Sequence, residues 1–278
     1  MAEETGQRSQ PAQGAADPPP RPTLKVMSLN VAHGRRLASH QVLLSRATIE
    51  NNLADIARVL RREQVDVAAL QEADGPSFWS GNFNHVARVG HLGKLDHHFR
   101  GGHLAIRARN SHLTYGTAIL SRWPLGEAVS HAFAPSPPTP KKGFVVATVA
   151  IPAFDRDVDI VSVHLDFLSY RQRKRQIQEL IDVVSQRQRP LVVLGDMNCG
   201  WGRRRSTLRY LAGELGLHTH HPTAKLGTFP ARRPRRRIDW IFVSSDFEIL
   251  EYRALPDQVS DHLGITATLA IAEPNERV

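Results

Sequence analysis

The chain has 278 residues, is 41% hydrophobic, contains one cysteine, and carries 36 Lys and Arg against 27 Asp and Glu, a formal net charge of +9. A single cysteine excludes an intramolecular disulfide framework, and no apolar run approaches the roughly 18 residues needed to span a bilayer. The positive balance fits polyanionic partners (nucleic acid, phosphoinositides or an anionic membrane surface) and equally fits a simple solubility bias.

Residues 1–22 are rich in Pro, Gln, Ala and Gly and nearly devoid of bulky apolar side chains. Such a segment cannot offset its ordering entropy by burial, so a disordered tail is expected. It also lacks the apolar stretch of a secretory leader, which makes a cytoplasmic location the expectation. Residues 23–278 then form one domain.

From Thr23, TLKVMSLNV reads as a strand. Ile49, Leu53, Ile56, Ala57 and Leu60 recur at helical spacing and predict an amphipathic helix over 47–62. VDVAALQE reads as a buried strand. The interval from about Asp74 to Thr114 is polar, glycine-spotted and rich in histidine, with weak periodicity, and reads as a long functional or mobile loop. GTAILS, FVVATVAI and DVDIVSVHL are further strands. Ile177, Leu180, Ile181 and Val184 predict a second helix over 171–188, followed by the strand LVVLGD. Ser206 reads as the N-cap of a short helix through Leu215, stopped by Gly216. RRIDWIFVS and LGITATLAI are the last strands. The order lacks strict βαβ alternation and contains no internal repeat. It predicts an α/β fold of antiparallel or mixed sheets packed face to face, with helices outside.

Six segments leave a polar residue where the local pattern asks for an apolar one. TLKVMSLN ends at Asn30, VDVAALQE at Glu72, DVDIVSVHL near His164, and LVVLGDMN at Asp196 and Asn198. RRIDWIFV contains Asp239, and VSDHLGIT carries Asp261 and His262. Burying an unpaired polar group costs roughly 2–7 kcal/mol, so these residues are expected to converge on one another and on a metal ion. Glu72, Asn30 and Asp261 offer hard oxygen ligands suited to Mg²⁺ or Mn²⁺. His164 and His262 can donate to a phosphoryl oxygen, with Asp239 orienting His262. Asp196 is suited to taking a proton from water, and Asn198 to holding that water or a phosphate oxygen. Together these parts describe metal-assisted hydrolysis at phosphorus.

The ordered motifs LNVAHG, LQEAD, YGTAILSRWPL, VSVHLDF, LGDMN, RRIDWIFV and SDHLGI resemble the endonuclease/exonuclease/phosphatase superfamily, over roughly Leu24 to Leu269. The resemblance implies a four-layer α/β/β/α sandwich of two mixed sheets with the site at one end. It implies Glu72 as principal metal ligand with Asn30 beside it, and Asp261 as an acid of the metal shell. It further implies His164 as phosphate stabiliser, Asp196 and Asn198 as the water-activating pair, and Asp239 with His262 as an acid–imidazole couple. Leu194 precedes GDMN where inositol-polyphosphate 5-phosphatases typically have tryptophan. The strand of His164 ends on histidine where abasic-site endonucleases usually have tyrosine. The likeness therefore points to the deoxyribonuclease-like and sphingomyelinase-like branches.

The expected substrate is a phosphate ester, with nucleic acid first and a phospholipid headgroup at an anionic membrane second. A catalytically idle scaffold is the third reading, and it conflicts with the presence of every polar strand-end residue. No protein partner is expected, and the chain is expected to be a monomer. Arg122, Lys142, Arg235 and Arg236 are candidate substrate contacts, the last two from the run RRPRRR at 232–237. Phe78, Trp79 and Phe83 stack on bases, dip into a membrane surface or simply anchor their loop. His91, His97, His98, His103 and His112 lack the regular spacing of a zinc site. Cys199 follows the GDMN motif with no base arranged for it.

Overall fold

The long apolar runs build two sheets. The computed structural model describes residues 21–108, 111–202 and 206–272. The predicted tail lies outside the described residues except for its last two; Arg21 donates to Glu248 (2.9 Å) and to the Ile271 carbonyl (2.6 Å).

In chain order the elements are β1 Thr23–Asn30, α1 Arg46–Arg62, β2 Val67–Asp74, α2 His85–Gly93, β3 His97–Arg100, β4 Leu104–Ala108, β5 Ser111–Ser121, β6 Leu125–Ala132, β7 Gly143–Val149, β8 Val158–His164, α3 Tyr170–Val184, β9 Leu191–Asp196, α4 Thr207–Glu214, β10 Leu217–His218, β11 Asp239–Ser244, β12 Phe247–Ala254 and β13 Ile265–Ile271. One sheet has the order β12-β13-β1-β2-β5-β3 with β4 paired to β5, and the other β10-β11-β9-β8-β7-β6. Each is mixed: β1–β2 and β8–β9 are parallel, whereas β1–β13 and β11–β9 are antiparallel.

Alternation along the strands separates two environments. In β9, Val192 and Leu194 join the core between the sheets, while Leu191 and Val193 pack beneath α3 and α4 with Ile177, Leu180 and Leu208. In β1, Leu24 and Val26 face between the sheets, and Met27 and Leu29 pack under α1 and α2 with Ile49, Leu53, Leu60 and Val89. Both faces of the central strands are therefore covered, which is why they read as continuous apolar runs. Each fully buried Leu, Ile or Val contributes about 1.5–3 kcal/mol. The result is the predicted α/β/β/α sandwich.

The helices are capped as their sequences ask. Ser45 Oγ accepts from Thr48 N, Ser169 Oγ from Gln172 N and Ser206 Oγ from Arg209 N. The 74–114 interval is a correction: it holds α2, β3, β4 and the start of β5 rather than one loop. Asn84 caps α2, but only Val86 and Val89 give it an apolar face, too short a pattern to register as helical period. The edge strands β6 and β12 also went unpredicted, because their exposed faces carry mixed residues.

Candidate active site

The inter-sheet face changes character toward one end. Above the apolar layer, Gln71 Nε2 donates to Ser162 Oγ (3.1 Å), and Ser162 Oγ to the Leu70 carbonyl (3.1 Å). Above that, the same alternation delivers Asn30 from β1, His164 from β8, Asp196 from β9 and Asp239 from β11. His164 pairs in register with Asp196, and Asp196 with Asp239, so three neighbouring strands present them side by side. Asn30, His164 and Asp196 line one end of a cavity of about 450 Å³, with Asp239 behind His262.

Glu72 and Asn198 reach this cavity by another route. Simple alternation after Gln71 would turn Glu72 toward α1. The β2–β5 register shifts between Leu70 and Ala73, and Glu72 adopts φ 51°, which swings its carboxylate into the cavity. Strand alternation would place Asn198, two residues on, on the same face as Asp196. The strand in fact ends at Asp196, and Asn198 sits in a turn at φ 51°. There its N–H donates to Asp196 Oδ1 (2.9 Å) and its Nδ2 to the Leu165 carbonyl (2.9 Å).

Asp196 is the hub. Asn30 Nδ2 donates to its Oδ2 at 3.1 Å, with His164 Nε2 at 3.4 Å and His262 Nε2 at 3.9 Å from the same oxygen. Burial pushes its proton affinity above the usual carboxylate range, the Asp239 charge adds to this, and His262, Lys142 and Asn30 only partly offset it. For His262, burial alone would favour the neutral ring, but the Asp239 and Asp196 carboxylates outweigh it and raise the pKa to about 10. Its Nδ1 lies 3.1 and 3.0 Å from the two Asp239 oxygens. His262 is thus an imidazolium at neutral pH.

Lys142 is buried, with Nζ 2.8 Å from His164 Nε2. Burial and the neighbouring Lys142 hold His164 well below its ordinary pKa, so the neutral ring accepts a hydrogen bond from the lysine. Burial lowers the Lys142 pKa as well, against the opposing pull of the Glu72, Asp196 and Asp166 carboxylates. Burial opposes ionisation of Glu72, yet His33, Lys142 and His164 around it keep its carboxyl far below the usual range.

The remaining candidates divide. Arg236 lines the cavity, whereas Arg235 is exposed and outside its lining. Asp261 lines the same cavity as Glu72 and Asn30, and its Oδ2 is held by Arg35 at 2.5 Å. Arg122 does not join the site: it pairs with Asp66 at 2.9 Å, beside the Val67–Ser121 pair at the opposite end of β2. Arg237 is buried, stacked 4.0 Å from Trp240 and donating to the His220 and His221 carbonyls, so the arginine run is split between structure and surface. His33, Arg35 and Tyr115 were missed, and Trp79 was noticed only as a loop aromatic. The glycine after His33 in NVAHG was the available signal for a special turn.

Asp196, Asp239 and His262 offer ligand atoms within 4.8 Å of one another. Both Asp239 oxygens already face His262 Nδ1, which leaves this trio paired internally and a poorer ligand set. Glu72 fits a cation better. Its carboxylate is anionic, faces the cavity, and meets imidazoles only at 3.3 Å (His33) and 4.0 Å (His164). With the Asn30 amide it supplies oxygen donors, and the one cysteine, Cys199, packs under α3 and α4.

The endonuclease/exonuclease/phosphatase family model matches residues 27–262, and the chain belongs to that family of phosphoester hydrolases. No curated protein matches it by sequence. Among solved structures it is similar to an endonuclease/exonuclease/phosphatase from Beutenbergia cavernae, at 22% identity and TM-score 0.73, covering 91% of this chain and 72% of that one. A mannosyl-6-phosphatase of Bacteroides thetaiotaomicron superposes at TM-score 0.67 with 15% identity, over 89% of this chain and all of that one. Beta toxin from Staphylococcus aureus superposes at 0.60 with 16% identity, over 88% and 99%. At these identities the structures share the fold. No helix among the described residues is long and apolar enough to cross a membrane.

Proposed function

We propose that this chain is a Mg²⁺- or Mn²⁺-dependent phosphodiesterase that hydrolyses nucleic acid by in-line attack of water. The observation that carries this reading is the setting of Asp196: a buried carboxylate of raised proton affinity, clamped by Asn30 on one oxygen and by the Asn198 N–H on the other. A fixed, proton-hungry carboxylate is a general base. Across it stands the His262 imidazolium, which can donate from Nε2 to a phosphoryl or leaving oxygen and is held by Asp239. Lys142 lines the same wall, with its Nζ against His164 Nε2. Glu72 and Asn30 would hold the metal ion, which when bound supplies positive charge to the phosphate oxygens.

Nucleic acid is favoured by the net charge of +9 and by Arg236 on the cavity wall, with exposed Arg232, Arg233 and Arg235 on the same loop. A phospholipid headgroup is the second reading, favoured by apolar side chains bared around the mouth. Phe167 lines the cavity at 48% exposure beside Leu168 at 59%. Phe78, next to cavity-lining Trp79, is 58% exposed, and the turn holding the exposed Val42 and Leu43 lies near the turn Phe78–Ser80. The deciding experiment offers single-stranded DNA, duplex DNA, RNA and anionic phospholipid vesicles in parallel, each with Mg²⁺ and with chelator. Metal-dependent cleavage of a nucleic acid is expected. Cleavage of vesicles alone would transfer the assignment to the second reading, and activity indifferent to chelator would overturn the metal dependence.

A further inference from the structure

His33 takes no part in the chemistry just described, yet the protein goes to some length to hold it. Ala32, His33 and Gly34 follow one another with φ of 47°, 54° and 72°. Left-handed backbone at two non-glycine residues persists only where the surroundings over-determine it. Here the Ala32 N–H donates to Asn30 Oδ1 (2.9 Å) and Asn52 Nδ2 to the Gly34 carbonyl (2.9 Å). A Cβ on Gly34 would meet Ile49 at 2.8 Å, so the loop is pressed against α1.

The ring itself is locked from three sides. Nδ1 lies 2.7 Å from Asp74 Oδ1. Asp74 is fully buried, and its other oxygen takes the Trp79 indole N–H (2.8 Å) and the Ser80 hydroxyl. Trp79 and Tyr115 flank the imidazole edge-on at 5.0 and 5.2 Å. What this apparatus aims is Nε2, which faces Glu72 Oε2 at 3.3 Å. Glu72 stands on a left-handed residue at a break in strand register, so its backbone alone does not settle where the carboxylate points. A histidine serving only as packing would not need a saturated buried acid behind one nitrogen and a cavity-facing carboxylate before the other.

We infer that His33, locked by Asp74, is a positioning residue that orients the Glu72 carboxylate, leaving Oε1 to the cavity, and thereby sets the affinity of the site for its divalent cation. The inference rests on the reading of Glu72 as metal ligand. It follows the general behaviour of residues behind metal ligands, whose loss typically weakens metal binding about 10- to 100-fold.

The test titrates Mn²⁺ alone into the purified chain and reads free Mn²⁺ by electron paramagnetic resonance. Wild type is expected to bind and E72Q not to. H33N, whose asparagine tolerates the left-handed backbone but cannot reach Glu72, is expected to lose affinity by about 10-fold or more. H33Q, which retains an N–H donor of similar reach, is expected to recover most of it, with melting temperatures close to wild type. H33N binding Mn²⁺ as tightly as wild type would overturn the inference and leave the metal reading standing. Absence of binding by wild type would overturn that reading itself. Should H33N not fold, W79F, which removes the indole donor behind Asp74, takes its place: weaker Mn²⁺ binding supports the inference, and unchanged binding overturns it.

Discussion

Asp196 meets opposing demands. It is buried against the inter-sheet core, where a charge is costly, yet its service as a base requires the charged form. Its folded-state proton affinity is raised, so at pH above the ordinary carboxylate range the folded protein retains proton affinity that the unfolded chain lacks, and stability falls as pH rises there. Replacing it with asparagine removes that penalty together with the base. D196N is therefore expected to lower kcat by about 10²- to 10⁴-fold while the metal-free protein melts higher than wild type at neutral pH. Initial rates and a calorimetric melt check the two halves. Near-normal turnover would remove Asp196 from the role of base.

Among the elements, β9 controls the site. Its Gly195 pairs with Val163 on one side and Trp240 on the other, one residue before Asp196 pairs with His164 and Asp239. A Cβ at Gly195 would lie 1.9 Å from the Val163 carbonyl oxygen, and its φ of 156° sits at the margin of what other residues adopt. A side chain there has to push β8 away from β9, moving His164 relative to Asp196. G195A is expected to cost at least about 3 kcal/mol, the upper range for overpacking a core, and to lower activity beyond what the stability loss explains. Urea denaturation gives the first quantity, and rates measured well below the midpoint give the second. A stability change under about 1 kcal/mol would show that the two strands yield more easily than their spacing implies.

Across the whole molecule, acid response is set partly by histidines packed neutral. His103 is buried among Gly101, Gly116 and Gly143, gives Nε2 to a contact with Thr117 Oγ1 (2.9 Å), and leaves Nδ1 without a hydrogen-bond partner among the described residues. Burial, with Arg100 and His131 nearby, pushes its pKa down to about 3. The unfolded chain takes up this proton below about pH 6.5, whereas the folded protein does so only near 3. Stability tied to His103 is thus complete above about pH 6.5 and is lost progressively as pH falls toward 3. H103Q is expected to flatten the fall of melting temperature between pH 7 and pH 4. An unchanged slope would assign the acid limb to other groups.

What the chain declares locally is what local rules govern. Buried strands such as LVVLGD and the capped helices were legible because period and end signals act within a few residues, and Asn30, His164, Asp196 and Asp239 were legible as polar breaks in apolar runs. The edge strands β6 and β12 and the short α2 were not, because the strands' exposed faces carry mixed residues and α2 has only two apolar core positions, so no period registers. Nor could periodicity reveal that Glu72 reaches the cavity through a register break, that His33 faces it, that Lys142 sits on His164, or that Arg122 lies at the far end. The amino-acid order determined which side chains were available for phosphoester chemistry. Only the packing of two sheets decided which of them meet, because distances between strands are set by pairing and twist, and no short stretch of sequence encodes those.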